Sequence, residues 1–122
     1  MDPDEFERIA QEAFDALPAR FKTSIDNVRI VIEESPDQSV ARRKGGSGTL
    51  LLGLYEGIPL SKRGTAYGMY PSVPDKITLY RKNIEAVGGS QGEIRARIRE
   101  VLIHEIAHHF GMSEEEIRRA GY

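Results

Sequence analysis

A chain of 122 residues, 39% hydrophobic and 30% charged, has material for one hydrophobic core and too little for two, and its composition is not that of a disordered segment. A net charge of −2 argues against nucleic acid as the main partner, which usually demands a clear basic excess. With no cysteine, disulfides, thiolate metal sites and cysteine nucleophiles are all excluded.

Asp2, Pro3 and Glu5 read as an N-cap, a first-turn proline and a capping-box acid. Behind them Phe6, Ile9, Ala10, Ala13, Phe14 and Leu17 recur at helical spacing, which predicts a packing helix over about residues 3–17, stopped by Pro18. Val28-Arg29-Ile30-Val31-Ile32 is short and β-branched between turn-forming residues, and reads as a strand. From Ser39 to Gly48, Arg42, Arg43 and Lys44 precede a glycine run without any apolar period. A surface loop is expected there, and not a phosphate loop, whose Gly-Lys-Ser/Thr ending is absent. Thr49 to Tyr55 is a second strand candidate that could offer an edge to an extended peptide. Residues 56–75, with Pro59, Pro71 and Pro74, form a long irregular connection, and Lys76 to Tyr80 alternates as a third strand.

Gly88-Gly89 then breaks the chain, and Ser90 with Glu93 opens a helix as a capping box. Ile94, Ile98, Val101, Leu102 and Ile106 share one broad face. Beyond Glu100 the apolar residues spread almost all round, so the second half of this helix is expected to be buried. Arg95, Arg97 and Arg99 alternate ahead of that half and read as solvent-facing or paired with acids. Gly111 ends the helix, and Ser113 with Glu116 caps a short last helix to about Ala120.

All three histidines fall within His104-Glu105-Ile106-Ala107-His108-His109, whose first five residues spell H-E-x-x-H. His104 and His108 are one helical turn apart, about 40° on the wheel, so both rings project from one edge and can grip a single metal ion. Glu105 leans over the same spot. In zinc peptidase chemistry the metal lowers the pKa of its bound water and polarises the scissile carbonyl, while the glutamate takes the water's proton and passes it to the leaving amine. A catalytic zinc takes three protein ligands besides that water. Gly111 allows a turn back towards the metal, and Glu114, six residues after His108, completes H-E-x-x-H-x-x-G-x-x-E with an acid in the third-ligand place. Glu115 or Glu116 could serve instead.

Other roles exist for each of these residues. Paired histidines on a buried helix can be hydrogen-bonded core residues, and acids in a first helical turn favour the helix dipole without a metal. The glutamate between the histidines, the glycine turn and the following acid nevertheless all suit one site. His109 points into the apolar face, as a core residue or as support behind a ligand. Tyr67, Tyr70 and Tyr80 are candidate donors for an oxyanion, although tyrosines in such places more often cover core edges. The constellation points to a zinc-dependent peptidase, with Glu105 catalytic and Zn2+ on His104, His108 and Glu114. The alternative is a zinc-stabilised binding or regulatory module whose retained site is catalytically weak. A metal-free scaffold ranks third.

The stretch from His104 to Glu114 resembles the active helix of the minimal bacterial zincin-like metallopeptidases, single-domain proteins long catalogued as a domain of unknown function. Gly53 to Leu60 and Pro74 to Tyr80 resemble that family's central segments, so the likeness covers most of the chain from about residue 26 onward. The resemblance implies a single domain over residues 1–122 with a zincin-like α+β fold. Its parts would be an N-terminal backing helix, a small mixed sheet of about three to four strands, a buried zinc-binding helix beneath it and a short C-terminal helix. It also implies Zn2+ at His104 and His108 with Glu105 as general base. The third position in such proteins is more usually Asp, and Glu114 is one methylene longer. No methionine follows Met112, so the methionine turn of the metzincins is absent and Met112 reads as a core residue. Few residues follow the zinc helix to wall the lower side of a cleft, which should be shallow or completed by a partner chain or a second copy. The expected substrate is a peptide or flexible protein segment, with neither nucleic acid nor membrane as partner. The acidic N-terminus lacks the features of a secretory signal and no apolar run nears the roughly 18 residues of a membrane span, so a cytoplasmic location is the default.

Overall fold

The N-terminal helix begins where the sequence places its cap: Asp2 accepts a hydrogen bond from the Asp4 N–H, and Pro3 occupies the first turn. In this computed structural model, which describes residues 1–22, 27–40, 50–57 and 75–122, that helix is α1 (Pro3–Asp15). It is followed by α2 (Ala19–Lys22), β1 (Val28–Glu33), a helical turn α3 (Gln38–Val40), β2 (Gly53–Glu56) and β3 (Asp75–Tyr80). Three helices complete the chain: α4 (Arg81–Val87), α5 (Gln91–His109) and α6 (Glu114–Arg119). The architecture is α+β, with a three-stranded mixed sheet in the order β1-β3-β2. No helix among the described residues is long and apolar enough to cross a membrane.

β3 pairs parallel with β1, Ile30 opposite Ile77, and antiparallel with β2, Tyr55 opposite Ile77. As the central strand it is buried on both faces: Ile77 and Leu79 join the core shared with the helices, while Thr78 and Tyr80 are buried on the other side. Helix α5 lies against the sheet and α1 packs beside it. Phe6, Ile9, Ile98, Leu102, Ile103 and Ile106 are fully or almost fully enclosed between them. Each such side chain contributes about 1.5–3 kcal/mol of burial energy, which is what holds α5 in the middle of the molecule.

Several elements differ from the sequence reading. Helix α1 ends at Asp15, not Leu17, because Pro18 opens a new turn: its carbonyl accepts from the Phe21 N–H at 2.9 Å, and α2 buries Phe21. Strand β2 starts at Gly53, well after Thr49. Helix α4 had no sequence signal, since its N-cap is Tyr80 without a side-chain cap bond and it buries only Ile84. Burial of Ile84 anchors it, and ion pairs add a tie. Arg81 pairs with Glu34 at 2.6 Å and with Glu85 at 3.2 Å, tying the helix to the end of β1. The expected loop around Arg42 to Lys44 lies outside the described residues.

Gly53 sets how closely β2 approaches α5. A Cβ there would stand 2.6 Å from Val101 Cγ1 and 3.1 Å from the Thr78 carbonyl oxygen. Valine in a helix has almost one rotamer, so it cannot swing aside. Gly53→Ala should therefore cost about 1–3 kcal/mol in denaturant unfolding by forcing strand and helix apart. A midpoint equal to that of the wild type would show that the two elements do not meet this tightly.

Candidate metal centre

Helix α5 carries the H-E-x-x-H residues in its last two turns, after the Ser90 side chain has capped its start by accepting from the Glu93 N–H at 3.2 Å. Gly111 then reverses the chain at φ +88°. The Met112 N–H donates to the Ala107 carbonyl and the Gly111 N–H to that of His108, each at 3.0 Å, which is the Schellman arrangement. Two residues later Ser113 and Glu116 form a complete capping box and start α6. These local devices deliver Glu114, the first residue of α6, to the two histidines.

Glu114 Oε1 lies 2.6 Å from His108 Nε2 and 3.2 Å from His104 Nδ1. The contact with His108, and after it that with His104, holds the Glu114 carboxyl below its ordinary pKa. One ligand atom from each of His104, His108 and Glu114 can be chosen so that all lie within 4.8 Å of one another, a group that can hold a metal ion. The neighbouring acids are engaged elsewhere: Glu116 accepts from the Ser113 N–H at 3.2 Å, and Glu115 pairs with Arg119 at 2.5 Å.

The donors suit zinc. Two imidazoles and a carboxylate are the nitrogen and oxygen set of a catalytic zinc site. A carbonyl can only accept, so the 2.9 Å contact of His108 Nδ1 with the Met112 carbonyl makes Nδ1 the donor and turns Nε2 towards Glu114. His104 Nε2 is buried with no hydrogen-bond partner among the described residues, the kind of orphaned donor or acceptor that a ligand would satisfy. The side chains of His108 and Glu114 are 40% and 49% exposed, so the centre is open to solvent.

Glu105 lies apart from this group. Its Oε1 accepts a hydrogen bond from the Tyr55 backbone N–H of β2 at 3.1 Å. With Leu51, Gly53, Leu54, Tyr55, His108 and His109 it lines a groove of about 350 Å³ between β2 and α5. Antiparallel ladders alternate between residues that bond across and residues that turn away. The Tyr80 N–H donates to the Leu52 carbonyl at 3.0 Å, so Leu54 and Glu56 also face β3. Gly53 and Tyr55 turn their backbone groups outward.

His109 is not among the candidate ligands, nor is it in the core. It is exposed, and its ring stacks on Tyr55 with centroids 3.9 Å apart and planes 20° from parallel. Partial burial lowers its pKa. Tyr80 is almost wholly enclosed, and that desolvation raises its pKa, as for a tyrosine built into the core. Tyr67 and Tyr70 lie outside the described residues. Met112 packs against the core as expected, while its carbonyl orients His108. Arg95 pairs with Glu12, Arg97 with Glu100, and Arg99 lies over the Tyr122 ring. Sequence reasoning missed the contact of Tyr55 with Glu105. No local signal could have found it, since the partners are 50 residues apart.

Because Gly111 has positive φ with open space around it, an alanine there meets only the backbone penalty of the left-handed region. Gly111→Ala should lower stability by about 1–2 kcal/mol and weaken metal binding together, since the same turn brings Glu114 home. Unchanged affinity in a metal titration would separate Glu114 from the site.

No curated protein matches the chain by sequence. Among solved structures, a conserved hypothetical protein from Thermo thermophilus is similar in fold, with a TM-score of 0.56 at 24% identity. The match covers 89% of this chain and 94% of that one. The family model described as zincin-like metallopeptidase matches residues 25–122, from just before β1 to the last residue. Since that span holds the whole sheet and both helices of the centre, the chain belongs to the zincin-like metallopeptidases.

Proposed function

We propose that this protein is a zinc-dependent peptidase in which His104, His108 and Glu114 hold the metal and Glu105 is the general base. The observation that carries the reading is the common groove: Glu105 and His108 line it together, beside the outward-facing backbone of β2. A site that held zinc only for stability would need no carboxylate in the same groove as one of its ligands. Zinc, when bound, supplies a Lewis acid that polarises a carbonyl and lowers the pKa of water. Glu105 takes a proton on its carboxylate and returns it to the leaving amine. The substrate is an extended peptide or flexible protein segment, because a groove flanked by an edge strand favours chains that can pair with backbone groups.

The test is to incubate the zinc-loaded protein with a mixed peptide library and read new termini by mass spectrometry. Cleavage that a chelator stops and added zinc restores is the expected result. Metal-dependent stability with no cleavage across the library would instead leave a zinc-stabilised binding module.

A further inference from the structure

The third histidine of the H-E-x-x-H-H run has no place among the candidate ligands, and what it touches leads to the glutamate. Among the described residues Tyr55 is held at three points. Its ring lies on the His109 imidazole, its hydroxyl donates to Asp75 Oδ2 at 2.9 Å, and its backbone N–H donates to Glu105 Oε1 at 3.1 Å. His109 is four residues after Glu105, one turn further along α5, so the helix touches the same strand residue twice, once through the carboxylate and once through the ring. Asp75, the first residue of β3, closes the third side. Just past the strand the chain runs so near that a Cβ on Gly57 would lie 3.1 Å from His109 Cε1.

We infer that Tyr55, clamped by His109 and Asp75, is a positioning residue for Glu105. A glutamate side chain has three rotatable bonds, and a general base must be kept close to its productive geometry by partners that are themselves fixed. A backbone N–H is such a partner only if its strand cannot slide along the helix. The aromatic stack and the hydroxyl bond prevent that sliding. His109 therefore acts on the base and not on the metal. The inference rests on the role proposed above for Glu105, but the contact itself can be tested without any turnover.

Amide hydrogen exchange of the labelled protein as purified reads the contact directly. Tyr55 is the probe, and Leu54 and Glu56, which face β3, are the controls. Glu105→Ala and His109→Ala should each speed Tyr55 exchange about tenfold or more while leaving the two controls unchanged, and His109→Phe, which keeps a stacking face, should restore protection. On any peptide the wild type cleaves, His109→Ala should lower kcat with little change in KM, and His109→Phe should recover it. Two results would overturn the inference: Tyr55 exchanging at the wild-type rate in Glu105→Ala, or all three amides accelerating together in His109→Ala, which would mean that the strand merely frays. If the wild type cleaves no peptide, the peptidase reading falls by itself, and the exchange pattern still decides the role of Tyr55.

Discussion

Glu105→Gln is expected to bind zinc as the wild type does and to lose peptide hydrolysis by about 10²–10⁴-fold, the range over which a positioned acid–base group acts. The substitution keeps the size of the side chain and an oxygen that can accept from the Tyr55 N–H, so the groove should keep its shape. What it removes is the ability to take and return a proton. The assay compares kcat/KM of the two proteins at equal metal content. Turnover within a fewfold of the wild type would transfer the base role to another group, or to water alone.

His108→Ala should have the largest effect on metal content. His108 is the best-oriented of the three candidate ligands: its Nδ1 is spent on the Met112 carbonyl, and its Nε2 faces Glu114. Removing an outlying hydrogen-bond partner behind a ligand typically costs about 10–100-fold in metal affinity, and loss of a ligand from a set of three should exceed that. Plasma mass spectrometry on protein purified without chelators or a histidine tag should find close to one zinc per wild-type chain and almost none in the variant. Equal metal content would exclude His108 as a ligand. Absence of metal from both, with none taken up on adding zinc, would make His104 and His108 partners of Glu114 alone.

The difference between α5 and α4 shows what kind of information the sequence carries. Helix α5 has a Ser90 cap, apolar residues from Ile94 to Ala107 and a glycine just past its end, and all of these act between residues a few positions apart. Helix α4 shares only the glycine, Gly88, and has neither a side-chain cap nor an apolar period; Arg81 ties it to Glu34 across the fold. The same contrast runs through the site. The return of Glu114 to the two histidines was legible because Gly111, Ser113 and Glu116 form one continuous run of turn and cap signals after His108. His109 was not legible. Spacing put it on the apolar face of the helix, yet it lies at the last turn, where the core has ended and β2 passes over it.

The sequence by itself determined the helix that carries the histidines, the turn that returns Glu114 to them and the class of metal such donors suit. Each depends on interactions within about ten residues, whose geometry follows from helix periodicity and caps. Only the tertiary structure decided which strand lies beside Glu105, where the groove opens and what the third histidine touches. Those contacts join residues some 50 positions apart, and burial of Ile77, Leu79, Leu102 and Ile106 sets them by fixing how the sheet seats on α5. Packing of that kind depends on the shape of the whole core, and no local spacing encodes it.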